Sequence, residues 1–127
     1  MPVKDAAVTE TKLASAVSAK LWQGAVVLGG DSVEVASNAA SVSSVLSNLW
    51  AASYPATLTY LTTSLPDCSV VVLCGNSSGT ITVAESGGGT NRIQMASPTF
   101  DLTGAYDTIL LIRAGVRWYE LSRSSNT

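Results

Sequence analysis

The chain has no histidine in its 127 residues, so it lacks the commonest general base and metal ligand, and a Ser-His-Asp triad cannot form. Lysine can replace histidine as a base when it is desolvated. Here, though, Lys4, Lys12 and Lys20 all fall in one N-terminal segment with little apolar surface around them. Nine acids are scattered along the chain, and Asp101 and Asp107, the nearest candidates for a carboxylate pair, flank a turn where capping explains them. ESGGGTNR (85–92) offers Gly-rich backbone of the kind that cradles phosphate, but GxxxxGK[ST] is missing, and a tight connection between strands is the better reading. Asn76-Ser77-Ser78 fits a glycosylation acceptor and, more simply, a turn.

Cys68 and Cys74 end the run CSVVVLC. On one strand their Cα atoms are roughly 20 Å apart, too far for a mutual disulfide. They read as small core or interface residues in a reducing compartment, with an intersubunit bond or a reactive thiol as the alternative. Two distant cysteines do not make a zinc site, so neither metal nor cofactor is expected. Trp22, Trp50 and Trp118, with Tyr54, Tyr60, Tyr106 and Tyr119, could stack on sugar rings; their wide separation favours packing. A small hydrolase is therefore disfavoured, and the chain is not expected to be an enzyme.

Stepping along the elements, the charge is unevenly placed. The net charge is −2, every Lys lies before residue 21, every Arg (Arg92, Arg113, Arg117, Arg123) lies near the end, and residues 21–91 carry no positive charge. That disfavours nucleic acid as a partner and suits surface covered by neighbouring subunits. No apolar run approaches the ~20 residues of a membrane span, and the basic-then-apolar layout of a signal peptide is absent, so a soluble, non-exported chain is expected.

Residues 1–24 form the first expected unit. Thr9 fits an N-cap, and Leu13, Val17 and Leu21 recur every four residues in VTETKLASAVSAKL. That stripe is one residue wide, so the predicted helix needs a partner or further copies of itself. Residues 25–53 form a connector: two short strands in AVVLGGDSVEV, then a predicted helix on the spacing of Ala39, Val42, Leu46 and Leu49. Residues 54–127 read as an antiparallel β module. Its two expected hairpins are SVVVLCGNSSGTITVAE and DTILLIRAGVRWYELS, the second turning at Ala114-Gly115. Both faces of the second carry large apolar groups, which predicts burial on both sides, one of them against another subunit. No internal repeat of 20–50 residues is visible, so no solenoid is expected.

Two stretches carry a family resemblance. VTETKLASAVSAKL resembles the short helical linkers of tailed-bacteriophage fibre proteins, in which variants of VTxxKLAxAVxxKL are common. LPDCSVVVLCGNSSGTITVAESGGGTNRIQM and DTILLIRAGVRWYELSRS resemble the small β-rich C-terminal module of phage head-fibre and tail-fibre proteins. Together they span about half the chain.

The resemblance implies a homotrimer: a mainly β protein with a short N-terminal helix or arm and a small antiparallel β-sandwich or barrel-like module. The expected role is structural, a capsid decoration (cement or head-fibre) protein of the virion, made in the host bacterial cytoplasm. Leu13, Val17, Leu21 and Trp22 are the expected attachment residues toward the major capsid protein. Ile109, Leu111, Trp118 and Tyr119 are the expected trimer interface. The alternative is a tail-fibre or baseplate knob that binds host surface glycan. Neither nucleic acid nor membrane is an expected partner.

Overall fold

The computed structural model describes residues 30–126. The attachment residues Leu13, Val17, Leu21 and Trp22, with the rest of the expected 1–24 unit, lie outside the described residues. The described part is all strand and turn, with no helix. In chain order the strands are β1 (Gly30–Glu34), β2 (Ala39–Val42), β3 (Leu46–Trp50), β4 (Ala56–Leu58), β5 (Tyr60–Thr63), β6 (Val70–Cys74), β7 (Ile81–Ala84), β8 (Ile93–Gln94), β9 (Thr99–Leu102), β10 (Thr108–Ala114) and β11 (Arg117–Ser124).

The chain begins as a parallel coil. Strand β3 lies parallel between β1 and β6, β5 is parallel to β2, and β7 is parallel to β4. Each turn therefore stacks on the one before at the strand spacing of about 4.8 Å. The module expected over 54–127 was antiparallel; three of its pairings are, β7 with β9, β6 with β10 and β10 with β11, while β4 with β7 and β8 with β11 are parallel. The parallel stacking is what the sequence did not lead one to expect. The rungs are uneven. Gly30 aligns with Leu46 and Leu46 with Val72, Ala39 with Tyr60, and Ala56 with Ile81, steps of 16, 26, 21 and 25 residues. Such steps leave no fixed period in the sequence.

Antiparallel strands finish the coil. β9 adds to β7, while β10 adds to β6 and turns back as β11, whose outer edge takes β8 in parallel. The result is a six-stranded sheet in the order β1-β3-β6-β10-β11-β8, a three-stranded sheet β9-β7-β4 and the pair β2-β5. All three enclose one core. Val33, Leu49, Val71, Leu73, Ile109, Leu111 and Trp118 come from the large sheet, Leu58, Ile81, Val83 and Leu102 from the second, and Ala40, Val42 and Leu61 from the pair. Residues 33–49 thus share the core of the later strands, and packing draws no boundary at residue 54.

The helix expected around Ala39, Val42, Leu46 and Leu49 is instead β2, a corner and β3. Period two places Ala40 and Val42 inside on β2, and Ser47 and Leu49 inside on β3. The corner between them is tied down by the Asp31 carboxylate, which accepts from Ser44 Oγ at 2.7 Å and Ser43 Oγ at 3.2 Å. At the β1–β2 corner, Ser37 and Asn38 hold φ of 54° and 65°, and the Ala36 and Ala39 backbones exchange hydrogen bonds of 2.9 and 3.0 Å, the geometry of a two-residue reverse turn.

Both strands expected in the first hairpin exist as β6 and β7, but they do not pair. β6 joins the large sheet and β7 the small one. The chain turns the corner at Gly75, where a Cβ would sit 2.6 Å from the Gly104 carbonyl oxygen and 3.0 Å from Leu102. The second hairpin is present. Ala114 pairs with Arg117, so Gly115 (φ 66°) and Val116 form its loop, one residue beyond the expected turn. A bulge follows: Leu110 pairs with Ser122 but Leu111 with Glu120, leaving Leu121 as the extra residue.

Candidate functional site

Strand alternation decides which side chains the β10–β11 hairpin sends inward. Ile109, Leu111 and Trp118 are fully buried in their own chain. Trp118 is fixed further by its indole N–H, which donates to the Leu61 carbonyl at 2.8 Å, and by the Arg113 guanidinium 5.6 Å from its ring centroid. Three of the four expected trimer-interface residues are thus core residues of one protomer. Only Tyr119, 40% exposed, faces out.

The opposite face of the same sheet is apolar as well. Leu46, Val72 and Leu110 share one line of register across β3, β6 and β10, and Val70, Ile112 and Tyr119 share the next across β6, β10 and β11. Leu121 stands out at the bulge, 53% exposed. The five aliphatic residues of these two lines are half-buried. Neither line holds a charged side chain. No other strand among the described residues lies over this face, since the two smaller sheets pack on its inner side. A contiguous apolar patch of this kind, bordered on β11 by Arg117, is the usual mark of a protein-protein contact.

The ends of the hairpin are held rigidly. Asp107 is buried; its carboxylate accepts from the Thr103 N–H at 2.9 Å, Thr103 Oγ1 at 2.8 Å and the Asn126 N–H at 2.8 Å. These donors hold its carboxyl below the usual aspartate range. Glu120 is gripped by Arg123, whose Nη2 donates at 2.8 Å, and by the Ala96 N–H at 2.8 Å; its carboxyl is also held down, chiefly by the Arg123 hydrogen bonds. Arg123 in turn stacks on Phe100, 4.8 Å from its centroid, and donates to the Thr99 carbonyl, so the far end of β11 is tied to β9. The acids Asp101 and Asp107 do not act as a pair: Asp101 accepts from Thr82 Oγ1 at 2.7 Å on the three-stranded sheet.

The aromatic residues disperse. Tyr54 packs against the core, and its hydroxyl accepts from the Ala51 N–H and Asn76 Nδ2 at 3.0 and 2.9 Å. Tyr60 lies beneath Arg92, while Trp50 and Tyr106 are exposed, 42% and 73%. Trp50 stands in register with Glu34, beside a groove of about 310 Å³ whose lining includes Glu34, Ser37, Asn38, Ser53 and Thr57. Sequence reasoning missed this groove, since its walls are corners brought together by parallel stacking.

The cysteines separate too: Cys74 is buried, with its thiol pKa raised by desolvation, and Cys68, ahead of β6, is exposed at φ 68°. No group of three or more His, Cys, Asp or Glu side chains comes together to hold a metal among the described residues. No protein-family model, curated protein or solved structure matches the chain.

Proposed function

We propose that this chain is a structural virion protein of a tailed bacteriophage, a capsid decoration or head-fibre protein in which residues 1–24 attach to the shell and the β module projects as a homotrimeric knob. The observation that carries the proposal is the apolar face of the six-stranded sheet, which no other strand among the described residues covers, with Leu110, Ile112, Tyr119 and Leu121 on the hairpin. A second copy of the chain is the occupant that fits aliphatic lines holding no charge to direct a foreign partner, with Arg117 at their border. The resemblance of residues 8–21, 65–95 and 107–124 to phage fibre segments supplies the virion context. Attachment through Leu13, Val17, Leu21 and Trp22 to the major capsid protein belongs to the same proposal.

The mechanism is adhesion rather than turnover. A protein that binds several neighbouring shell subunits at once, and only in their assembled form, stabilises the assembly by mass action. The rigid hairpin suits that role, because a contact surface already held in shape loses little conformational freedom on binding.

Immunogold labelling of intact virions with antibody against residues 60–127 tests the proposal: gold over the head is expected, and gold on neither head nor tail refutes it. Gold at the tail tip would favour the second reading, a tail-fibre or baseplate knob binding host glycan. That reading draws on Trp50, an exposed flat ring beside the carboxylate and hydroxyls of the corner groove. A sugar-sensitive change in tryptophan fluorescence belongs to the second reading alone.

A further inference from the structure

Three of the four arginines among the described residues gather at the loop end of the β10–β11 hairpin, beside the Gly-rich segment 85–92. Strand β8 pairs with β11 through Trp118↔Ile93, and the Trp118 N–H donates to the Arg92 carbonyl at 2.9 Å. One residue earlier, Arg92 and Arg117 are therefore lateral neighbours. Trp118 and Ile93 both point into the core, so alternation turns these two arginines outward together. Like charges side by side on neighbouring strands are unfavourable unless something neutralises them. No carboxylate does so: the one ion pair among the described residues is Arg123 with Glu120. Asp67, the acid at this end, accepts from the Gly115 N–H at 3.0 Å.

The two guanidiniums are also held in place. Arg92 lies over the Tyr60 ring, 5.4 Å from its centroid. Arg117 lies against Gly88, where a Cβ would come within 2.8 Å of its Nη2 and 3.2 Å of its Cζ, so the absence of a side chain there makes room for the guanidinium. The loop itself is shaped by Gly87 at φ 61°, Gly89 at φ 134° and Asn91 at φ 63°. Arg113 fixes its end, donating from Nη1 to Asn91 Oδ1 at 2.6 Å. An adjacent pair of forked cationic donors, next to a glycine loop with positive φ values, matches the geometry that receives a tetrahedral oxyanion.

We propose that Arg92 and Arg117, with the backbone of residues 88–90, form a binding site for a phosphate-type oxyanion, and that Arg113 is a positioning residue acting through Asn91. The site lies at the end of the hairpin and does not depend on the assembly proposed for the sheet face. The ligand is a phosphate group, either free or as an ester on a larger molecule.

The test is a titration of the full-length, 15N-labelled chain with sodium phosphate, with glucose 6-phosphate, with sodium acetate, and with sodium chloride at matched ionic strength. Saturable shifts of the Gly88, Gly89 and Thr90 amides and of the Arg92 and Arg117 Nε–H groups are expected with both phosphates. Binding of the ester at least as tightly as the free ion would identify an esterified ligand, and exclusion of the ester a free one. Arg117→Gln should weaken phosphate binding about tenfold or more while leaving amide shifts elsewhere unchanged. Gly88→Ala, which keeps every charge but displaces the guanidinium, should weaken it as well. Shifts that chloride or acetate reproduces, or phosphate affinity unchanged in both variants, would overturn the proposal.

Discussion

Replacing Tyr119 and Leu121 together by glutamate should dissolve the proposed trimer without unfolding the protomer. Tyr119 keeps 40% of its surface open. A tyrosine offers about 150–250 Å², so about 60–100 Å² remains to be covered, which at about 25 cal/mol per Å² is roughly 2 kcal/mol. Leu121, 53% exposed, adds about half of a full leucine burial, roughly 1 kcal/mol. The pair thus supplies about 3 kcal/mol per copy and about 9 kcal/mol over three copies, worth some six powers of ten in the association constant. Burying two carboxylates would deepen the loss. Both side chains project away from the core, so thermal unfolding of the isolated protomer should move by no more than about 0.5 kcal/mol. Sedimentation velocity, with far-ultraviolet circular dichroism on the same samples, reads both quantities. A wild-type chain that sediments wholly as a monomer at about 1 mM, where about 9 kcal/mol over three copies makes more than half of the chain trimeric, would refute the reasoning. So would a double variant that remains trimeric.

Ser47 buries its hydroxyl in β3 with no hydrogen-bond partner, so Ser47→Ala should raise stability by about 1 kcal/mol in a denaturant titration, and a loss would point to a bond formed in solution. Trp118→Ala removes the largest fully buried side chain and strands the Leu61 carbonyl; urea unfolding should show a loss of about 3–5 kcal/mol, and a cost below about 1 kcal/mol would contradict the packing described. The Asp107 and Glu120 carboxyls titrate lower in the folded chain than in the unfolded one, so their stabilisation is complete above the unfolded values, near pH 4, and drains away as pH falls toward the folded values. The melting temperature should accordingly hold steady down to about pH 5 and then drop, and Asp107→Asn should flatten that drop; parallel profiles would contradict the assignment. A thiol reagent should modify Cys68 at once and Cys74 only on unfolding, and two equally fast thiols would place Cys74 at the surface.

The β10–β11 hairpin could be read from the sequence because its signals are local: a glycine at the loop, β-branched residues on the first arm and aromatic ones on the second. Alternation gives parity but not direction. Ile109, Leu111 and Trp118 form one set and Leu110, Ile112 and Tyr119 the other, and both are apolar; the tryptophan goes inside because the Leu61 carbonyl is there to receive its N–H. Residues 39–50 read as a helix because the inward positions of β2 and β3 include Ala40 and Ser47, side chains too small to reveal period two, while Ala39, Val42, Leu46 and Leu49 fall by chance on helical spacing. Between β6 and β7 both strands were visible, but local sequence cannot say that the partners of Val72 and Ile81 are Leu46 and Ala56 on the preceding rung. Of the phosphate-binding candidate, the glycines were legible; the arginine neighbours depend on β8 lying parallel to β11, a pairing with no sequence signature.

The unequal steps of the coil have a consequence for how such a protein can change. Strands meet in register whether the chain between them spends 16 residues or 26: the longer step holds the additional strand β4 and the corner at 51–55, and corners such as this one and 75–80 carry exposed tips, Ala52-Ser53 and Ser77-Ser78. Insertions at those exposed tips alter the outer relief at little cost, since added loop length is cheap, whereas Ala51, Tyr54 and Gly75 in the same corners touch the interior and must stay. Such corners, set between three sheets, make the β module a display frame. Foreign peptides grafted at Ser77-Ser78 can be carried on its rim, and over generations the same freedom lets the visible surface drift while the interior stays fixed.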